Sequence, residues 1–187
     1  MRAVVIAITL LMPVMGFAAP ASYVLQPENS TVGYETDFGV DKIRGRMPVT
    51  RADLTLDFDK VSASTIAVTL DVAGADASFP FAAQALKGPK VLDADQFPTM
   101  TFQSISVRAK GDGAVVEGML TIRGIAKPVT MQAEIYRQKG YRDGDLSHLT
   151  IRMRGAVMRS DFGATGWSDM VGDQVRLDIL ARIARVD

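Results

Sequence analysis

Several residue types are absent or scarce in this chain of 187 residues. It contains no cysteine, one histidine and one tryptophan. The absence of cysteine excludes disulfide bonds, thiolate metal sites and a lipid-modified N-terminal cysteine, so the stability of the fold must come from packing and backbone hydrogen bonds. With a single histidine, a zinc or non-haem iron site would depend on carboxylates alone. We therefore expect no metal and no cofactor.

Acidic residues are also absent from the beginning of the chain, where the sequence is strongly apolar. Arg2 supplies a positive start, residues 3–14 are almost all apolar, and Gly16 and Ala18 are small. This layout is typical of a secretory signal peptide. A membrane anchor would need about 20 apolar residues, and Pro13 interrupts a run that is already too short.

The cleavage site is predicted to follow Ala18. Cleavage after Ala19 would place the bulky Phe17 at a position that favours small residues, and would put Pro20 directly after the cut. Residues 1–18 are therefore predicted to be a signal peptide, and residues 19–187 to be one domain of ordinary size. We expect the mature protein to be soluble and periplasmic.

The chain carries no excess of either charge. Its 21 Lys and Arg residues balance 21 Asp and Glu residues. A balanced chain has no overall field that would draw it to nucleic acid. Nucleic acid is therefore not expected as a partner.

Strict alternation of apolar and polar residues runs through most of the chain. Residues 64–72, for example, place Ile66, Val68 and Leu70 on one face and Thr65, Ala67 and Thr69 on the other. Such alternation is typical of antiparallel strands with one buried face. We predict an all-β fold of about eight strands, with a bend near Pro48 in the second: 30–38, 43–58, 64–73, 99–108, 114–123, 127–138, 147–158 and 174–185. Long strands joined by short turns favour an up-and-down barrel or a strongly curved sheet.

One long segment breaks this pattern. Pro80 suits the first turn of a helix, and Gly88-Pro89 would end it. We predict a short helical connection near residues 80–97 that caps one barrel opening. Its large apolar side chains are expected to point inward, since exposed apolar patches promote association; they are Phe79, Phe81, Leu86 and Leu92.

No group of residues forms a convincing catalytic site. His148 lies at a turn-to-strand boundary, where we expect it to be exposed, and no G-x-S-x-G motif is present. Asp161 is expected to accept hydrogen bonds from nearby backbone amides in a tight turn. We predict no catalytic residues.

Arginines alternate with apolar residues on two of the predicted strands, at positions 44, 46 and 51 and at positions 152 and 154. Outward-facing arginines on a sheet usually pair with acids on the neighbouring strand. A patch that docks on an anionic membrane is the alternative interpretation, and it would allow transient membrane contact.

Six motifs, in this order and spacing, resemble the YceI-like family of secreted bacterial proteins. They are YVLQPENSTVG, FGVDKIRGRM, LDADQFPTMTF, GMLTIRGIAKPVTM, RSDFGATG and VGDQVRLDI, and together they cover nearly all of residues 19–187. The resemblance implies an eight-stranded antiparallel lipocalin-like barrel that holds a polyisoprenoid or a similar long-chain amphiphile. One departure is Ala85, where many relatives have a histidine, so a histidine contact to a ligand headgroup is not expected.

The alternation and the resemblance together predict which residues bind a ligand. Inward-facing strand residues should line the barrel, because their faces have no other apolar partner: Val68, Leu70, Phe102, Leu120, Ile122, Met131, Ile135, Ile151 and Met153. Phe102 lies on a strand of mixed pattern, which predicts either a bulge or burial of both faces. Leu86, Phe79 and Phe81 should contribute from the connection. Residues 159–163 are interpreted as a strand that ends in a tight turn, and the functional alternative is that Phe162 and Trp167 form an aromatic rim at the barrel mouth.

Three functional hypotheses follow from the sequence. The first is a periplasmic carrier of an isoprenoid lipid, such as a ubiquinone-like molecule. The second is an enzyme that acts on a lipid or small molecule inside the barrel. The third is a ligand-free, stress-related interaction module, whose barrel would be filled by side chains. The oligomeric state is open, with a homodimer as one alternative.

Overall fold

The computed structural model describes residues 20–186, which contain ten β-strands and one α-helix. The strands are β1 (Ala21–Leu25), β2 (Thr31–Phe38), β3 (Asp41–Arg46), β4 (Val49–Leu56), β5 (Thr65–Asp71), β6 (Thr99–Lys110), β7 (Gly113–Ile122), β8 (Ile125–Arg137), β9 (His148–Met158) and β10 (Val171–Arg185). The helix α1 spans Pro80–Lys87, and 3-10 turns occupy Pro27–Asn29, Val61–Ala63 and Arg159–Phe162. The predicted signal peptide lies outside the described residues. Between residues 20 and 186, no helix is long and apolar enough to span a membrane.

Eight of the strands close into an antiparallel barrel. Their order is β1-β4-β5-β6-β7-β8-β9-β10, and β10 pairs back with β1, so that Tyr23 lies opposite Arg185. Closure gives each of these strands a hydrogen-bonded neighbour on both sides, which removes the exposed edges of an open sheet. The predicted eight-stranded antiparallel barrel is confirmed.

The other two strands lengthen the barrel wall at one end. β2 continues the course of β1 along β10, and β3 pairs with β2. The wall breaks between β3 and β4 at Met47-Pro48, which confirms the predicted bend, because proline has no amide hydrogen for the ladder. The prediction from sequence omitted β1. Its five residues lie between Pro20 and Pro27 and are too few to show a clear alternation.

β6 turns a different set of side chains inward after its midpoint. The pairing of β6 with β7 shifts between Ser104 and Ser106, which marks a β-bulge. Before the bulge Phe102 is buried; after it Val107 is buried and Ile105 is 68% exposed. The bulge, one of the two explanations offered for this mixed strand, is present.

Core side chains pack at the end of the barrel where the hairpin between β6 and β7 lies, which we call the closed end. Tyr23, Leu149 and Ile183 are almost completely buried there. The Tyr23 ring meets Phe58 edge-on with 6.3 Å between centroids. The Tyr23 hydroxyl donates to the carbonyl of Leu146 at 2.9 Å, so the residue ties the interior to the loop before β9.

The connection between β5 and β6, residues 72–98, lies at the opposite end. Its first part pairs with β3: the amide of Asp76 donates to the carbonyl of Arg46 at 3.0 Å, and that of Ser78 to Arg44 at 2.6 Å. The connection then forms α1, which begins at Pro80 and ends before Gly88. This confirms the predicted short helical connection and places it beside the open end of the barrel.

Candidate functional site

A large cavity occupies the barrel interior and opens beside α1. Its volume is about 680 Å³, within the range of about 300–1,000 Å³ typical of small-molecule sites. Inward-facing side chains of the strands form its wall, because alternate residues of each strand point to the same face. Most of these side chains are aliphatic, aromatic or methionine. The cavity is therefore suited to an apolar ligand.

The structure brings all fourteen of the predicted ligand-binding residues to the cavity wall. They are Val68, Leu70, Phe79, Phe81, Leu86, Phe102, Leu120, Ile122, Met131, Ile135, Ile151, Met153, Phe162 and Trp167. These are positions in the fold; the part each residue takes in binding stays a prediction. Alternation on cleanly paired strands is the signal that located most of them.

Gly118 on β7 is needed to accommodate one side chain of the wall. A Cβ atom at Gly118 would lie 2.5 Å from the Phe102 ring and from the carbonyl oxygen of Gln103. Glycine therefore lets the ring of Phe102 lie flat against the neighbouring strand.

The open end is surrounded by apolar side chains that are partly or fully exposed. Phe79 and Phe81 reach the cavity but are 42% and 71% exposed, so they lie at its rim and do not seal it as the prediction of inward-pointing residues implied. Trp167 and Met170 lie on the loop before β10 and also line the cavity. Val40, at the tip between β2 and β3, is fully exposed. We call these five residues the apolar rim.

Phe162 is not part of this rim. It is 2% exposed and packs in the main core, although it also reaches the cavity wall. The prediction of an aromatic rim is therefore wrong for Phe162, because the 3-10 turn at Arg159–Phe162 carries the ring into the interior. In the same turn the prediction for Asp161 is also wrong: it is Asp173 that accepts the amide of Ser160, at 2.8 Å.

Arg159 is a buried cation in the cavity wall. Its Nε donates to the carbonyl of Gly172 at 3.0 Å, and its Nη2 to Val171 at 2.9 Å. Its Nη1 donates to the carbonyls of Ala164 and Gly166 at 2.5 and 2.8 Å. Burial lowers the pKa of Arg159 from its ordinary value. The side chain holds the loop before β10 against the start of that strand.

Tyr34 fixes the connection to the barrel wall. Its ring lies across Gly45, where a Cβ atom would overlap the ring and its hydroxyl. The hydroxyl donates to the carbonyl of Asp76 at 2.6 Å. Burial, and then the charge of the Asp76 carboxylate, raise the pKa of Tyr34. The hydroxyl therefore stays protonated and keeps its role as a donor.

His148 begins β9 and is only partly exposed. Its ring stacks on Tyr141 with 4.3 Å between centroids, and its Nδ1 lies 3.1 Å from the Ser147 hydroxyl. Residues 20–186 contain no group of three His, Cys, Asp or Glu side chains that is able to hold a metal ion. What the arrangement offers chemically is an apolar space that opens beside α1.

The arginines that alternate along the strands point outward and pair with acids. Arg44 binds Glu35 at 2.6 Å, and Arg152 binds Asp178 at 2.7 Å. Arg46, Arg51 and Arg154 pair with Asp76, Asp53 and Glu134. The predicted pairing across neighbouring strands is confirmed for Arg44, Arg152 and Arg154, whereas the partner of Arg51 is on its own strand and that of Arg46 is in the connection after β5. Each of these arginines therefore has an acidic partner, and docking on a membrane stays a prediction.

Sequence comparison identifies the family to which this barrel belongs. The YceI-like domain matches residues 23–183. The chain belongs to the YceI-like family. A UPF0312 protein of Vibrio vulnificus is 32% identical over 140 residues, which cover 72% of this chain and 74% of that protein.

Solved structures share the YceI-like fold of this chain. BcnA of Burkholderia cenocepacia has a TM-score of 0.76 at 23% identity, covering 85% of this chain and 99% of that one. A polyisoprenoid binding domain from Saccharophagus degradans, described as implicated in plant cell wall breakdown, has a TM-score of 0.64 at 9% identity. It covers 89% of this chain and 99% of the other. At these identities the likeness concerns the fold.

Sequence reasoning missed several residues around the open end of this YceI-like barrel. Arg159 lies in a stretch of small and turn-forming residues, where its charge predicts exposure and its four carbonyl partners are not apparent. Val40 is a single apolar residue in a turn. Lys90 and Arg123 lie in different segments, and only the folded connection brings both beside Trp167.

Proposed function

We propose that this YceI-like barrel binds an isoprenoid lipid, either a polyisoprenoid or an isoprenoid quinone, and carries or sequesters it. The observation that carries the proposal is the large apolar cavity with its opening at the apolar rim. The structural neighbour described as a polyisoprenoid binding domain supports the same class of ligand.

The physical properties of an isoprenoid chain match those of the cavity. The chain is slender, branched and apolar, and an eight-stranded barrel is about wide enough for one such ligand. Removing apolar surface from water contributes about 25 cal/mol per Å², so the tail can bind tightly with few polar contacts. Met131 and Met153 add flexible side chains that adapt to the methyl branches.

The proposal assigns no chemical reaction to the cavity. Several polar side chains on its wall are engaged in holding the backbone: Arg159 and Tyr34 donate to carbonyl groups. The Thr36 hydroxyl lies 3.0 Å from the carbonyl oxygens of both Gly172 and Gln174. Side chains held in this way are poorly placed to transfer protons to a ligand, so binding is favoured over catalysis.

The ligand-free module is the less favoured alternative. It requires an interior filled by side chains, as small barrels often have. A cavity of about 680 Å³ that reaches the surface argues against such filling.

Periplasmic location is part of the proposal and rests on the signal-peptide pattern of residues 1–18. Expression of the full chain in a Gram-negative host, osmotic shock and N-terminal sequencing will test it. We expect a periplasmic product that begins at Ala19. A full-length product in the cytoplasm would contradict the prediction.

Lipid extraction from the purified mature protein will test the function itself. The protein should be taken from periplasm, extracted with organic solvent and examined by mass spectrometry. We expect an isoprenoid lipid at close to one molecule per barrel. If no lipid is recovered, and none is taken up from added polyprenols or quinones, the proposed function is wrong.

A further inference from the structure

The first part of the connection pairs only incompletely with the edge of β3. The Asp76 amide donates to the carbonyl of Arg46 at 3.0 Å, and two residues later the Ser78 amide donates to that of Arg44 at 2.6 Å. In a complete antiparallel pair, backbone carbonyls accept two bonds in return. Here side chains accept them. The Arg46 amide donates to the Asp76 carboxylate at 2.6 Å, and the Arg44 amide donates to the Ser78 hydroxyl at 3.3 Å. We call residues 76–79 the strap.

Side chains supply most of the bonds that hold the strap to the barrel. The carbonyl of Asp76, which a complete ladder would use, accepts the Tyr34 hydroxyl at 2.6 Å. The Asp76 carboxylate also binds the Arg46 guanidinium at 2.9 Å, and both side chains are well exposed to solvent. An ion pair of this kind stabilises little, because water competes for both groups. The strap is therefore attached by a few bonds that water is able to replace.

The residues on either side of the strap and α1 are attached by packing. Ala75, directly before the strap, and Leu92 are buried in a small apolar core under the connection. Leu86, in the last turn of α1, packs against the same core. Arg123 donates to two backbone carbonyls of the segment after α1, at 2.8 and 2.7 Å. Residues 76–85, which we call the gate segment, are therefore a loop with two fixed ends.

The gate segment itself contributes little to the core. No residue of α1 is buried, and no side chain caps its first turn. The Phe79 ring lies against the end of β2, with its centroid 6.4 Å from that of Phe38. Ala82 and Ala85 face the cavity with small side chains. A segment with few buried apolar contacts opens at a lower free energy than the rest of a fold.

We propose that the gate segment swings away from β3 to admit and release the ligand, with Ala75 and Leu86 as hinges and Asp76 as the latch. When the bonds to β3 part, the strap and α1 move outward while the small core around Leu92 stays intact. The opening beside α1 then widens along β3, so that a long chain enters sideways and does not have to thread end-on past the apolar rim. The inference rests on the proposed function for what passes the gate, whereas the opening motion is a property of the chain itself.

Hydrogen exchange of the ligand-free protein tests the motion. The amides of Leu92 and Ala94 each donate to a backbone carbonyl at 2.9 Å in the fixed part of the connection. We expect the amides of Asp76 and Ser78 to exchange at least about tenfold faster than these two. Asp76→Ala removes the latch and should speed exchange of the Ser78 amide at least about threefold more. Asp53→Ala removes a similarly exposed aspartate–arginine pair from β4 and should change nothing at the strap. If the strap and the fixed part exchange at the same rate, the connection moves as one unit and the gate does not exist.

A disulfide between the strap and β3 should keep the gate shut. The chain has no cysteine, so Arg44→Cys combined with Ser78→Cys introduces a single bridge. Opposite residues of an antiparallel pair have Cα atoms about 5.5 Å apart, within the range that a disulfide spans. Exchange of a polyprenol can be followed by the fluorescence of Trp167, the only tryptophan, which lines the cavity. We expect oxidation to slow uptake and release alike, at least about tenfold, with no change in affinity, because a gate alters the barrier and not the bound state. Reduction should restore both rates.

Glu134→Cys combined with Arg152→Cys is the matched control. These positions face each other on β8 and β9, away from the gate segment, and their bridge should leave both rates unchanged. If the bridge between positions 44 and 78 leaves both rates unchanged as well, the ligand passes elsewhere and the gate is wrong. If it weakens affinity without slowing uptake, the segment is part of the binding wall and not a gate.

The remaining outcomes separate the gate from the proposed function. If the polyprenol binds to no variant, the proposed function fails, and hydrogen exchange still decides whether the gate segment opens. If the cysteines at positions 44 and 78 do not form a bridge, Asp76→Ala decides instead. Both polyprenol rates should then rise at least about threefold at unchanged affinity, and rates equal to those of the wild type would overturn the role of Asp76 as the latch.

Discussion

Arg159 stabilises the loop that forms one side of the cavity mouth. Its replacement by methionine keeps much of the apolar side chain but removes four hydrogen bonds to backbone carbonyls. Charged donors in such bonds contribute more than neutral ones, so we expect a loss of about 2–3 kcal/mol in the free energy of unfolding. Urea denaturation will measure it. The stability of Arg159→Lys should fall between those of the wild type and Arg159→Met, because one ammonium group cannot make all four hydrogen bonds of the guanidinium. Equal stability of all three proteins would contradict this role of Arg159.

Asp37 gives the outer barrel face a dependence on pH. Hydrogen bonds from Arg176 and then Lys42 lower its pKa from 3.8 to about 2. Because the folded state favours the carboxylate, its stabilising contribution is present above pH 3.8 and is lost as the pH falls towards 2. The difference in Tm between wild type and Asp37→Asn should therefore shrink over that range. Asp112→Asn, at an exposed turn of the closed end, is the control, and a difference that stays constant with pH would contradict the prediction.

At the scale of residues, the sequence predicted which side chains point into the barrel better than it predicted which groups surround them. Leu120, Met131 and Ile151 could be placed inside because strict alternation leaves an apolar face no other partner. Phe162 and Arg159 belong to a short turn without a period, so neither their burial nor their partners could be predicted.

At the scale of elements, proline and glycine were the informative signals. Pro48 marks the break between β3 and β4, and Pro80 and Gly88 bound α1. β1 was not predicted because it is short. It pairs with β4 on one side and with β10 on the other, and these two strands are far apart in the sequence. Barrel closure depends on these pairings, which no local pattern encodes.

The connection that carries α1 should control ligand release. Replacing Phe79 and Phe81 together with serine removes two exposed rings from the mouth. We expect the ligand to dissociate about tenfold faster, which corresponds to about 1.4 kcal/mol of lost contact, while Tm falls by only a few degrees. Ile105→Ser, on the outer face, removes an apolar side chain about as exposed as Phe81 and should change neither. If the double variant unfolds while affinity per folded molecule is unchanged, these residues belong to the core.

At the scale of the whole molecule, the proposed function requires that the barrel, although its sheet is closed, keeps an empty space inside for the ligand. Leu120→Trp places a large side chain in the middle of the cavity wall, on a cleanly alternating strand. Such overpacking costs about 1–3 kcal/mol in a filled core, but here the ring has space to enter. We therefore expect a folded protein that no longer copurifies with lipid.

Met119→Trp is the matched control for this variant. Met119 is the neighbour of Leu120 on β7, and its side chain faces away from the cavity. The Met119→Trp substitution adds a tryptophan to the same strand without reducing the space inside the barrel, so lipid should still copurify at one molecule per barrel. A well-folded Leu120→Trp protein that retains a full complement of lipid would show that the ligand lies outside the barrel, since a slender tail cannot pass a tryptophan in a tube of this width.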